Sequence, residues 1–163
     1  MNRKSAVLMA GMLVLALAAV NAAARVEVSA KSSVGTWKLD ASKSSYRNMA
    51  APKFEQLVIT VDTPQSLKWS LKGVEADGKS YFSSYDGPTD GKDHRLMSNE
   101  AASAVAYTRS ANGLNWVIRD KSGSVIETAS GQLSPDGNTL ILKGTTEGPK
   151  GKSSFVSVFT RAQ

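Results

Sequence analysis

From residue 34 onward, apolar side chains return at every second position in short windows, and each window closes on a glycine, proline, asparagine or aspartate. That period belongs to half-buried strands, and no window carries the spacing of an amphipathic helix. The first window is Val34-Gly35-Thr36-Trp37-Lys38-Leu39, in which Gly35, Trp37 and Leu39 share one face. Gly35 leaves room for a neighbour to approach the indole, and Trp37 is expected to plug one end of a closed sheet. Residues 40–52 form one long irregular connection, with room for a helical turn or a plain crossing of the barrel end. Residues 54–62 follow with Leu57, Ile59 and Val61 on one side, and after Thr63-Pro64 the clearest alternation of the chain sets Leu67, Trp69 and Leu71 against Lys68, Ser70 and Lys72.

The later windows repeat the pattern. Asp77-Gly78 turns the chain into 80–85, Asp86-Gly87-Pro88-Thr89-Asp90-Gly91 makes a double turn, and a short strand is expected around 94–97. The strand at 104–109 closes on Asn112-Gly113, the strongest two-residue hairpin signal, and Leu114, Trp116 and Ile118 alternate after it. Residues 124–133, 139–146 and 153–161 complete the set, separated by Ser134-Pro135-Asp136-Gly137 and Gly148-Pro149-Lys150-Gly151. Tight turns joining about eight to ten strands predict an all-β, single, closed antiparallel up-and-down barrel, because closure removes both sheet edges. A sandwich would need longer crossings than the chain offers.

The first residues lack this pattern. Arg3 and Lys4, an apolar run over 6–20 and small residues around Ala22-Ala23-Ala24 predict a secretory signal peptide over 1–24, leaving one domain over 25–163. The run is short for a membrane span, so the mature protein is expected in the periplasm or medium and not integrated in a membrane. With no cysteine, the exported domain must be stable through its core alone. The net charge is +6, and the basic residues stand singly along strands and turns, a distribution that argues against nucleic acid as partner.

Both ends of the predicted barrel carry a resemblance. Gly35-Thr36-Trp37 resembles the Gly-x-Trp signature of lipocalins, and Thr160-Arg161 looks like the basic residue that those barrels pack over the tryptophan. Lys43-Ser44 after Trp37-Lys38-Leu39, the segment from Gly73 to Lys79 with Tyr85-Asp86-Gly87, and Ser134-Pro135-Asp136-Gly137 with Thr139-Leu140 are similar to motifs of a bacterial group of exported lipocalin-like proteins. The resemblance implies a barrel over nearly all of the mature chain, a stack of Trp37 with Arg161 beside Gly35, and a small hydrophobic molecule as ligand.

Candidate chemistry is sparse. His94 is the single histidine, beside Asp93, and no Gly-x-Ser-x-Gly elbow supplies a nucleophile, so no enzyme is expected. One histidine and no cysteine make a poor zinc site, and hairpin chemistry accounts for Asp86, Asp90 and Asp93 better than a calcium loop; no metal or cofactor is expected. Trp69 and Trp116 read as core residues or ligand contacts, while Tyr81 shares a face with Tyr85, and Tyr107 with Arg109. Facing inward, they would make a small-molecule pocket with Arg109 anchoring a carboxylate. Two classes stay open: a binding protein for a small apolar or amphipathic ligand, and an envelope interaction module with a filled core.

Overall fold

A computed structural model describes residues 32–111, 113–148 and 151–162; the expected signal peptide lies outside them. Among the described residues twelve strands are present: β1 (Gly35–Leu39), β2 (Ser45–Arg47), β3 (Phe54–Asp62), β4 (Ser66–Val74), β5 (Ser80–Pro88), β6 (Asp90–Arg95), β7 (Met97–Ser98), β8 (Ala102–Ser110), β9 (Gly113–Asp120), β10 (Val125–Leu133), β11 (Thr139–Gly148) and β12 (Gly151–Arg161). All pair antiparallel in one sheet ordered β6-β8-β9-β10-β11-β12-β1-β3-β4-β5-β7, with β2 also on β12. The ends of that order meet in one stretch of chain. Residues 90–95 ladder with β8 and residues 97–98 with β5, so a strand bent at the buried Leu96 nearly closes the barrel.

Twelve strands exceed the expected eight to ten because the connection holds β2 and the one strand expected around 94–97 is divided into β6 and β7. The connection expected to be irregular contains β2, which continues along β12 where β1 leaves off: Leu39 pairs with Phe159, and Tyr46 with Phe155. Between them the Ser44 hydroxyl accepts the Val158 amide at 2.9 Å and keeps the ladder satisfied through the bend. The β8–β9 loop is also offset from expectation. Ser110 pairs with Gly113, so Gly113 opens β9 and is not a turn residue; Asn112 lies outside the described residues.

A bulge at Thr60 corrects a third expectation. Ile59 pairs with Trp69, but Val61 pairs with Lys68 and Asp62 with Leu67. The extra residue turns Val61 to the outer face and brings Asp62 inside, where alternation alone puts Val61.

Trp37 is fully buried where the first and last strands meet, and it pairs with Arg161 across the ladder. The guanidinium carbon lies 4.2 Å from the ring centroid. The indole nitrogen donates to the Ser33 carbonyl at 2.8 Å. Arg161 donates to the carbonyls of Gly137 (2.9 Å), Val34 (2.7 Å) and Ser32 (2.8 Å), tying the β11 turn to the start of the described chain. A Cβ at position 35 would stand 2.4 Å from the arginine Nη1, so glycine is what admits the guanidinium.

Candidate functional site

The barrel is not filled. A cavity of about 760 Å³ runs through its interior, walled by inward residues of nearly every strand. Leu57 and Ile59 of β3, Leu67, Trp69 and Leu71 of β4, and Leu114, Trp116 and Ile118 of β9 supply its apolar face. Register explains why they converge: Leu57 opposes Leu71, Ile59 opposes Trp69, and Trp116 opposes Tyr107. Alternate residues of paired strands must point the same way. A lumen of this size, mostly apolar with a few fixed polar groups, has the make-up of a small-molecule pocket.

Aromatic side chains cross that lumen. The Trp69 indole on β4 donates to the Tyr107 hydroxyl on β8 at 2.9 Å. Tyr107 packs on Tyr85 and Trp116 with ring centroids 4.9 and 6.1 Å apart. The Trp116 indole in turn donates to Glu127 on β10 at 2.6 Å. Both indole donors are thus satisfied inside the barrel, as buried polar atoms require. Burial raises the Tyr107 hydroxyl above the usual phenol range and keeps it neutral.

Carboxyl groups gather at one end. Glu55 accepts the Tyr81 hydroxyl. Burial pushes its carboxyl up to about 7, with Tyr81 opposing and the charges of Glu75 and Glu127 adding to the rise. Glu127 is likewise raised by burial, its one opposing influence being the Trp116 donor. Tyr81 reaches Glu55 because residue 73, opposite it on β4, is glycine; a Cβ there would lie 2.2 Å from the ring.

At the other end Arg109 faces inward, but it is already engaged. Its guanidinium binds the Asp62 carboxylate and donates to the Thr63 carbonyl at 2.7 Å; Ser33 donates to the same carboxylate. The Thr60 bulge is what makes this pair, since it turns Asp62 inward. Arg109, which the sequence suggested as a carboxylate anchor, is thus paired in this barrel, with its Nε–H left buried and without a partner among the described residues.

Of the other residues singled out, Trp69, Tyr81, Tyr107 and Trp116 line the cavity. Tyr85 is buried beneath it instead, its hydroxyl donating to the Pro88 carbonyl at 2.6 Å. His94 pairs with Asp90 at 2.8 Å, away from the lumen. Asp86 pairs with Lys68 and Asp93 with Arg119, and no group of three or more metal-ligating side chains forms among the described residues. Sequence reasoning missed Glu55 and Glu127. Their signal was parity: Glu55 precedes Leu57 and Ile59 by even steps, and Glu127 precedes Ala129, Gly131 and Leu133 likewise.

No protein-family model and no curated protein matches the chain. Among solved structures it is similar to a redesigned β-barrel, at 15% identity and a TM-score of 0.45 over 80% of this chain and 91% of that one. It is also similar to zebrafish ileal bile acid-binding protein in complex with cholic acid, at 12% identity and a TM-score of 0.46 over 80% of this chain and 100% of that one.

Proposed function

We propose that the protein is an exported binding protein, not an enzyme, that holds a small hydrophobic or amphipathic molecule inside its barrel. The observation that carries this reading is the cavity of about 760 Å³ through the core. A packed interior leaves few voids larger than a water molecule, so a lumen of this size favours ligand binding over an interaction module with a filled core. The inward placement of Trp69, Tyr81, Tyr107 and Trp116 supports a contact role for them, and export rests on the leader-like 1–24.

Titration of the purified protein with straight-chain alcohols from octanol to tetradecanol, followed by the fluorescence of Trp69 and Trp116, tests the reading. Each buried methylene contributes about 0.8 kcal/mol, so affinity should rise about fourfold per carbon. An affinity independent of chain length would refute it.

A further inference from the structure

All five glutamates of the described residues, Glu55, Glu75, Glu100, Glu127 and Glu147, line the cavity. The topology puts them at one end of the barrel. Glu55 and Glu127 sit near the starts of β3 and β10, Glu75 just after β4, Glu100 just before β8, and Glu147 near the close of β11. In an up-and-down sheet these are the same end. Aspartates behave differently: Asp40, Asp77, Asp90 and Asp120 accept backbone amides in their own turns.

Among the described residues Arg109 is the one basic side chain lining the cavity, and Asp62 holds it at the far end. Glu55 and Asp62 stand seven residues apart on β3, roughly 20 Å along the strand. Lumen polarity therefore opposes that of the chain as a whole, which is net basic at +6. Glu55 and Glu127 each receive a single neutral donor among the described residues, the Tyr81 hydroxyl and the Trp116 indole. An ionised carboxylate in an apolar wall is costly unless a cation pairs with it, and a ligand carboxylate there would add repulsion. The apolar wall beside these carboxyls suits an organic cation that carries an apolar tail, and no group of three or more metal-ligating side chains forms among the described residues.

We propose that the barrel is selective for amphipathic molecules with a protonated amine at the polar end, that Glu55 and Glu127 are its carboxylate partners, and that the tail lies along the aromatic wall. This rests on the binding reading above and specifies its ligand. Such a ligand pairs best with ionised Glu55, which is faced by Tyr81 of β5, Glu75 of the β4–β5 turn, Glu127 of β10 and Tyr46 of β2. None of these is a cation; at the same end Lys79 acts on Glu75 and Lys152 pairs with Glu147, so Glu55 and Glu127 are the carboxyls whose compensating charge the ligand supplies.

The test compares dodecylamine, 1-dodecanol and dodecanoate, each below its micelle-forming concentration, on the full chain by tryptophan fluorescence. Dodecylammonium should bind about tenfold tighter than the alcohol, the order expected of one charge-assisted hydrogen bond, and dodecanoate more weakly than the alcohol. Glu55→Gln and Glu127→Gln should each cut the ratio of amine to alcohol affinity severalfold, and saturable alcohol binding by each variant reports an intact cavity. The amine should tighten between about pH 6 and about pH 8 as Glu55 ionises, and the alcohol should not. Alcohol binding without amine preference, a preference for dodecanoate, or a flat amine profile would overturn the selectivity and leave the binding reading standing. Absence of binding by all three would overturn both.

Discussion

The junction of the first and last strands makes a quantitative prediction. Trp37 is fully buried, so Trp37→Ala should cost about 3–5 kcal/mol. Arg161→Ala loses two kinds of contact. The cation 4.2 Å above the indole is worth about 0.5–2 kcal/mol. Its three donations to the carbonyls of Gly137, Val34 and Ser32 are partly solvated, which holds each to about 0.5–1 kcal/mol. The arginine alone should therefore cost about 2–5 kcal/mol, the stack and the three donations together. The stack is the part that both residues share, so the double variant should be less destabilised than the sum of the singles by about 0.5–2 kcal/mol. Urea unfolding with an unchanged m-value measures all three, and Arg161→Lys separates the parts by keeping a charge near the ring without the planar donor set. Additivity within about 0.3 kcal/mol would show that the stack contributes nothing beyond the hydrogen bonds.

Two further outcomes follow from the lumen. Glu55 has a folded pKa raised from 4.5 to about 7, so the native state holds a proton that the unfolded chain has released, and stability should fall as pH rises between those values. The loss should be about 1–3 kcal/mol, and Glu55→Gln should flatten most of it in urea melts at several pH values, with Glu127 supplying the remaining slope; an unchanged decline would refute the assignment. Arg109→Leu should leave the affinity ratio of dodecanoate to dodecanol within about twofold, while unpaired Asp62 destabilises the fold by about 1–3 kcal/mol, discounted because the arginine side chain is 30% exposed. A selective loss of dodecanoate would restore Arg109 as an open anchor.

Strand order and closure were legible because period two is enforced wherever one face is buried. The bounds of β3 agree with expectation to the residue, and Gly35, Trp37 and Arg161 are brought together at the point where the sheet meets itself. What could not be read was any feature that depends on one inserted residue. Bulges at Thr60, Ser103 and Ile126 each add a residue without a partner, and none interrupts the apolar pattern strongly enough to announce itself. β2 was hidden for another reason. Three residues form too short a window for alternation, and what fixes them is the ladder with β12, more than a hundred residues later.

The Thr60 bulge also sets the sign of charge that the lumen presents. Without the extra residue, strict alternation would carry Leu57, Ile59 and Val61 inward and turn Asp62 toward solvent. Arg109, which reaches the interior from β8, would then be an uncompensated cation in an apolar cavity, and a carboxylate would be its natural partner. The bulge brings Asp62 in opposite Leu67, within reach of the guanidinium, and the pair closes on itself with the Thr63 carbonyl. Neutralising that end leaves Glu55 and Glu127 opposite as the carboxyls without a cationic partner among the described residues, while Lys152 pairs with Glu147 and Lys79 acts on Glu75. Their long side chains reach the lumen from strand ends, whereas the shorter aspartates fold back onto their own turn amides. Lumen polarity is thus decided by backbone register as much as by residue type, and composition alone, with its excess of lysine and arginine, points to the opposite charge.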